Sequence, residues 1–573
     1  VSHTNTWSGR IALGLALLVG LGGFRPVAAQ QEATRGPIAS PTIGVDWMAS
    51  GDFVDAAGDL VEMAEVGFTA VRMPPVYDRD FFSLADSLGL TLYIELPFAQ
   101  SPVQQLRQEL AEADSLLSLV LDAGRGHSSA GPIGITRLSD TRSSGACEAI
   151  SSVAERIRAA GRQAYYTTLF REQDQCRDVV DFVLIDILHP HGDLAEIDHL
   201  MDRAGVSAEA GFGIAGLGAA VTLPDAEGWS VAGSPHAQAR FMETALNRVR
   251  ASNLSHVFVH RWRDQSQGFT GLLESTAFRE SVGLPDPWGR AYGLYTSTSD
   301  PRPALQVVRG ILLGLQDTFA FDEGVAPKTG RPWFPVLGWL MITLTALMYA
   351  GSPRFRSMIP RYFFAHGFFR NAVREAREVL PLTSTAILTV TGLSIGLIGS
   401  FIITGLKDLP LTIHWYRLFG EGTRSSLTAI LNVPFVLTVL IGSATLLSTS
   451  LWMGCWMAIT GRRTRLLPSQ ALMLASWPRW QVLLLLPIAM TLQAKPGIPL
   501  WPILLLAAAW LGTGFWATIR TSYDLYKITN VSPLAAVLVW FIHPLVIAAF
   551  ILIGWSLFNW DQVRFAWHLL QVG

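Results

Sequence analysis

The sequence predicts two fold classes in one chain, an α/β (β/α)8 TIM barrel followed by an all-α transmembrane helical bundle. Three observations predict this. Between residues 41 and 316, eight short apolar runs alternate with amphipathic helical patterns. After residue 332 come six apolar stretches, most near or above the roughly 20 residues that cross a hydrocarbon core. The charge divides at the same place: residues 333–573 hold 17 Lys+Arg against 6 Asp+Glu, and the remainder holds 26 against 39. The whole-chain figures, 15% charged and net charge -2, are averages over these unlike halves. A soluble chain carries about 25% charged residues, so a soluble enzyme throughout is excluded. A basic excess within an apolar segment points to a lipid membrane and not to nucleic acid.

The first 29 residues read as a signal peptide. Arg10 precedes the apolar run Ile11 to Phe24, and Pro26-Val27-Ala28-Ala29 offers a small-residue cleavage site. The run is short for a bilayer span, which favours a cleaved signal over an anchor. Residues 30–40 are polar, contain Pro and Gly, and read as a linker. In the barrel, 41–316, strands are expected at Ile43–Trp47, Ala70–Met73, Thr91–Leu96, Ile133–Leu138, Ala164–Leu169, Phe182–Leu188, Gly211–Gly216 and Val257–Arg261. Helical patterns lie between several of them, at Phe53–Val66, Arg79–Leu88, Glu148–Ala160 and Pro235–Ser252. Eight such units in about 275 residues match a barrel of this class, with a doubly wound sheet as the alternative. Residues 317–332 form a second polar linker. The membrane domain, 333–573, has six expected transmembrane helices, at 333–351, 384–405, 428–457, 472–493, 500–519 and 533–557. Pro478, Arg479 and Pro487 interrupt the fourth.

The loops set the orientation. Segments 352–383, 458–479 and 520–532 hold 12 of the 17 basic residues, and with six spans all three lie on one side. The positive-inside rule makes that side cytoplasmic. The first span then runs outside to inside and leaves residues 30–332 outside, the topology that the signal peptide independently demands. The expected location is a bacterial-type cytoplasmic membrane with the barrel on its periplasmic or extracellular side.

Several barrel segments carry a resemblance. Gly67-Phe68-Thr69-Ala70-Val71-Arg72-Met73-Pro74-Pro75 is followed by Phe81-Phe82-Ser83-Leu84-Ala85-Asp86-Ser87-Leu88-Gly89-Leu90. Tyr93-Ile94-Glu95-Leu96-Pro97 ends the third strand, and Phe258-Val259-His260-Arg261-Trp262-Arg263-Asp264-Gln265 forms the eighth. Trp288-Gly289-Arg290 and Asp300-Pro301-Arg302-Pro303-Ala304-Leu305 lead into the last helix. Together they resemble glycoside hydrolase family two, over residues 41 to about 316. The resemblance implies a β-galactosidase, β-glucuronidase or β-mannosidase type of barrel with no cofactor. Retaining chemistry of this kind uses two carboxyl groups about 5–5.5 Å apart. In this clan both are glutamates, at the ends of strands four and seven.

The sequence departs from the family there. The family's Asn-Glu pair falls on Ser139-Asp140, so Asp140 is the candidate acid/base. The nucleophile position falls on Gly216, which has no side chain to attack with. Glu209 lies near the start of that strand, at the opposite end of the barrel, and the family's strand-eight tryptophan falls on His260. Glu95, Glu172, Asp186 and Asp264 are spare carboxylates near strand ends. Arg72 either grips a sugar hydroxyl or carboxylate, or orients acidic groups. His189 and His191, with Asp193, form a sugar-contacting polar loop or a weak metal motif, and no metal is assigned. Trp262 and Trp288 are a stacking platform or aromatic core. The candidate glycan contacts are therefore Arg72, Glu95, His189, His260, Trp262 and Asp264. Cys147 and Cys176 follow neighbouring strands on one barrel face, and an exported compartment permits their disulfide.

Spans two to six resemble the Yip family of five-span membrane proteins, on the segment Trp516-Ala517-Thr518-Ile519-Arg520-Thr521-Ser522-Tyr523-Asp524-Leu525-Tyr526-Lys527-Ile528-Thr529-Asn530-Val531-Ser532. Tyr362–Leu380, aromatic and then alternately Arg and Glu, suits an interfacial helix. His543 before Pro544 lies inside the last span, as a proton relay, a substrate contact or a kink with a neutral imidazole. The favoured function is a glycan-binding or sensing pseudo-glycosidase. The alternatives are an active retaining β-glycosidase (an O-glycosyl hydrolase) and a transporter whose barrel captures substrate.

Overall fold

Short runs rich in β-branched and aromatic residues form the strands, because such side chains fit a pleated surface buried on both faces. They are β1 (Thr42–Asp46), β2 (Ala70–Met73), β3 (Thr91–Glu95), β4 (Ala130–Arg137), β5 (Ala164–Thr168), β6 (Phe182–Asp186), β7 (Gly211–Leu217) and β8 (His256–His260). Each pairs in parallel with the next, and β8 returns to β1, closing the barrel. The computed structural model describes residues 41–48, 53–170, 173–186, 198–199, 201–202, 211–264, 290–325, 332–417, 419–464, 466–494, 498–529 and 531–571. The expected signal peptide and first linker, with Glu172, His189, His191, Asp193, Glu209 and Trp288, lie outside the described residues.

The barrel helices are α1 (Phe53–Val66), α2 (Arg79–Leu88), α3 (Val103–Ala123), α4 (Ser144–Ala159), α5 (Pro235–Arg250) and α6 (Pro303–Leu312). Helix α2 shows the local logic. The Asp78 side chain caps its start by accepting from Asp80 N, and Gly89 ends it at φ 68°, a left-handed turn. Its Phe81, Phe82 and Ala85 are buried against the strands. Inside the barrel, Tyr93, Tyr165, Phe182 and Phe258 pack as a floor of rings. Two glycines make room for them: a Cβ on Gly44 would lie 2.7 Å from the Phe258 ring, and one on Gly134 2.8 Å from that of Tyr165. The interior is thus a packed core and not a pore.

The second block comprises α7 (Trp333–Gly351), α8 (Pro353–Phe364), α9 (His366–Arg374), α10 (Pro381–Leu406), α11 (Pro410–Arg417), α12 (Glu421–Leu431), α13 (Pro434–Thr464), α14 (Pro468–Ser476), α15 (Leu486–Gln493), α16 (Leu500–Thr529), α17 (Pro533–Phe541), α18 (Pro544–Phe558) and α19 (Trp560–Leu570). Among the described residues, five helical stretches are long and apolar enough to cross a membrane, and a sixth results if α17 and α18, bent by 75° at their break, are one span. Apolar side chains such as Trp339, Leu344, Leu347, Ile551 and Leu557 face outward, as lipid contact requires. The molecule is a multi-pass membrane protein. Its fourth span runs from Pro468 to Gln493, with a 3-10 stretch, Trp477–Leu484, joining α14 to α15. Pro478 has no N–H to give to an α-helical ladder there. Pro434 likewise separates α12 from α13, so the third span begins later than expected.

The expected interfacial helix needs correction. Residues 353–374 form two helices, and their aromatics divide between two roles. Tyr362 and Phe369 are buried against Trp477, whereas Phe364 and Phe368 are exposed. His366 turns inward because both oxygens of Asp524 on α16, 2.9 Å away, receive its ring nitrogen.

The helical block meets the barrel through α11, α19 and the turn before α11. Arg290 reaches Asp408, Asp561 accepts from Gln104 N, and Arg142 donates to Gln571. Phe170, Phe565 and Leu569 form a small apolar cluster at this seam.

Candidate functional site

Parallel register determines which side chains share the barrel mouth. Asp46 on β1 stands beside Arg72 on β2 and His260 on β8. Glu95 ends β3 and Asp186 ends β6, whose cross-strand neighbour on β7 is Gly216. These positions lie at the C-terminal ends of the strands, where barrels of this class build their sites.

Arg72 is wholly buried and serves two carboxylates, Asp46 at 3.0 Å and Glu95 at 3.4 Å. Glu95 also accepts from Thr167 Oγ1 at 3.3 Å and Tyr165 OH at 3.5 Å. The same Asp46 oxygen, Oδ2, lies 2.6 Å from His260 Nδ1, while Arg261 approaches His260 Nε2 at 3.3 Å. An arginine can only donate, so Nε2 is an acceptor and the imidazole proton sits on Nδ1. His260 is therefore neutral and donates to Asp46. Burial lowers its pKa, and Arg261 lowers it further, against the pull of Asp46. Burial pushes the Asp46 carboxyl up, but Arg72, His260 and Arg137 together outweigh it and hold it well below the usual carboxylate range. Arg137, at the end of β4, stands 3.5 Å from Asp186. The mouth thus joins Asp46, Arg72, Glu95 and His260 in one network, with Arg137 and Asp186 as a second pair.

The other candidates lie elsewhere. After β4 the chain makes a left-handed turn at Leu138, φ 57°, and then reaches Ser139 and Asp140. Asp140 is 0% exposed, and its Oδ1 receives His568 Nδ1 of α19 at 2.9 Å. The acid/base candidate thus points into the seam with the helical block. Asp264 accepts from Tyr292 N, Gly293 N and Arg302, so both its oxygens hold the chain that leads into α6. Trp262 is buried between Phe68 and Tyr295, in the core rather than on an open platform. The sulfurs of Cys147 and Cys176 are bonded to each other, with Cα atoms 4.8 Å apart. In the helical block, His543 caps α18: its Nδ1 accepts from Leu545 N.

Sequence reasoning missed Asp46, Arg137 and His568. The first two had a readable signal, since each is a charged residue at the C-terminal end of a parallel strand. His568 had none, because its partner lies 428 residues earlier.

Among solved structures, the chain is similar to a β-galacturonidase of glycoside hydrolase family 2 from Eisenbergiella tayi bound to galacturonate. The identity is 18% and the TM-score 0.40, covering 49% of this chain and 52% of that one. It is also similar to a β-glucuronidase of Ruminococcus gnavus, at 14% identity and TM-score 0.39, covering 48% and 50%. A β-glucuronidase of an uncultured Clostridium matches at 15% identity and TM-score 0.39, covering 48% and 51%. The chain spans about half the length of each. No family model matches the chain, and no curated protein does.

Proposed function

We propose that the barrel is a non-hydrolytic glycan-binding or sensing module, a pseudo-glycosidase, held at the outer face of a bacterial-type cytoplasmic membrane by its helical block. One observation carries this reading: Asp140, at the position of the family's acid, is buried in the seam on His568. Gly216, at the nucleophile position, offers no side chain. The carboxylates in the mouth support the same reading. Asp46 and Glu95 share Arg72, and Asp186 faces Arg137. A retaining hydrolase needs one protonated and one free carboxyl facing across a glycosidic bond. A mouth of paired ions instead offers donors and acceptors to sugar hydroxyls without a spare proton. The outer location is supported by the segments that touch the barrel: Asp408 and α19 follow the second and sixth spans, on the side opposite the Arg-rich loops. We also keep the Yip-like reading of spans two to six as a proposal, supported by the motif that ends α16.

The test is an assay of the full chain in neutral detergent against aryl β-glycosides and β-glycuronides. Absence of turnover in protein that binds an oligosaccharide is the expected result. Turnover that disappears in Asp140→Asn or Glu95→Gln would establish a hydrolase and sink the binding-only reading.

A further inference from the structure

We propose that the open end of the barrel is turned to the bilayer, and that its ligand is a glycan anchored in that bilayer by a lipid. The inference rests on the glycan-binding reading above and names the form in which the glycan comes. In a parallel barrel, the segment after each strand lies at the rim of the open end. Among the described residues, those of the barrel that make the seam all belong to such segments. Gln104 lies after β3, Asp140 and Arg142 follow β4, Phe170 follows β5, and Arg290 stands between β8 and α6. The eight strands close in sequence order, so β4 and β8 stand on opposite sides of the ring. Arg290 is held on the β8 side. Its neighbour Ala291 bridges to Val221 beyond β7, and the Tyr292 ring lies 5.4 Å from that of His260. The helical block therefore reaches across the rim instead of touching one edge of it.

The outward surface of the block shows where the lipid ends. On α18, Ile551, Leu557 and Phe558 are exposed, as lipid contact requires, and the chain turns polar at Asn559. Helix α19 then carries two faces. Phe565 and Leu569 pack with Phe170 of the barrel, and His568 meets Asp140. Trp560 and Trp567, seven residues apart and so on one side of the helix, are both exposed, as indoles are at a membrane–water interface. One short helix thus touches the rim on one side and the lipid boundary on the other. Between the start of α3 and the turn from α18 to α19 lies a cavity of about 790 Å³, whose lining includes Gln105, Gln108, Asn559, Trp560 and Gln562. That volume suits a small ligand or a sugar headgroup. Amides that donate and accept, beside an indole face, offer the chemistry that holds sugar hydroxyls. A soluble polymer would have to thread between barrel and bilayer to reach this rim. A sugar carried by a lipid is delivered there, with its chain beside α18 and its head in the cleft.

Reconstitution of the full chain in phosphatidylcholine nanodiscs tests this, with hydrogen exchange of residues 102–108 and 559–568 as the readout. Four probes are compared: a β-linked uronate disaccharide attached directly to a dialkylglycerol, the same lipid with a long polyethylene glycol spacer before the sugar, the free disaccharide, and the dialkylglycerol alone. The directly attached sugar is expected to slow exchange in both segments, and the sugar-free lipid is expected to leave it unchanged. Protection by the spacer-linked or free sugar, without protection by the directly attached one, means an open end that faces away from the bilayer. That result overturns this inference and leaves glycan binding standing. Protection by none of the sugars overturns both. Equal protection by the sugar-free lipid shows a lipid site without glycan recognition and overturns the inference too. Trp560→Ala is expected to raise the amount of directly attached sugar needed for half-protection about tenfold or more. If that variant does not give monodisperse protein, Gln108→Ala decides by the same criterion. Unchanged half-protection in the folded variant overturns the proposal.

Discussion

At the scale of single residues, the barrel mouth is governed by one guanidinium. Arg72 neutralises Asp46 and Glu95, and without it both carboxylates would be buried unpaired. Breaking a buried ion pair from one side costs about 3–5 kcal/mol, so Arg72→Met is expected to lower the stability of the full chain by that order in denaturant titration. Arg72→Lys should rescue only part, because one ammonium cannot hold two carboxylates with a planar fork. The mouth also predicts the response to acid. His260 is held neutral when folded and takes its proton readily when unfolded, so stability falls as pH drops below about 6.5, the ordinary histidine value. Asp46 adds a further loss at lower pH, below the ordinary carboxylate value, because its folded pKa is depressed. Thermal melts between pH 8 and 5 should show this decline in the wild type and a flatter profile in His260→Gln. Arg72, Glu95 and His260 were legible from the family resemblance and the strand ends it marks. Their network was not, because parallel register across three strands decides it, and Asp46 gives that register its charge.

At the scale of elements, the helical block is held by close backbone approach as well as by apolar side chains. Helices α10 and α13 meet through glycines: a Cβ on Gly396 would lie 2.2 Å from Thr438 O and 2.9 Å from Gly442 N. Thr438 Oγ1 also donates to Ser400 Oγ at 2.7 Å across the same pair. Gly396→Leu is therefore expected to abolish monodisperse protein in size-exclusion chromatography. Gly454→Leu, on a stretch of α13 where nothing lies within 4 Å of a new Cβ, should leave it unchanged. In the barrel, Cys147 and Cys176 close a loop with a sequence separation of 29. By loop entropy, the double serine variant should lose about 3–4 kcal/mol, read from its denaturant midpoint. Non-reducing mass spectrometry should find the two cysteines linked. The strands and spans were legible because hydrophobic period and length are local properties. The split of 353–374 into two helices was not, since the inward turn of His366 depends on Asp524, 158 residues away.

At the scale of the whole molecule, the seam between barrel and helical block distinguishes this chain from a barrel merely tethered to a membrane. Asp140 and His568 meet in it, flanked by the cluster of Phe170, Phe565 and Leu569. Residues in one buried contact couple by about 0.5–3 kcal/mol, so a double-mutant cycle of Asp140→Asn and His568→Ala should show non-additive stability in that range. Hydrogen exchange should rise along α19 in either single variant. The division into two blocks was plain from charge and hydropathy. The seam was not, because a chain end and a strand end share no local pattern. Glycan binding without hydrolysis is tested most directly by incubating the full chain in neutral detergent with a defined β-linked uronate oligosaccharide, measuring binding by calorimetry and then recovering the sugar for mass spectrometry. Saturable binding, weakened in Arg72→Met, with every sugar molecule recovered intact, is the expected result. Recovery of cleaved sugar whose formation stops in Glu95→Gln or Asp140→Asn would contradict it.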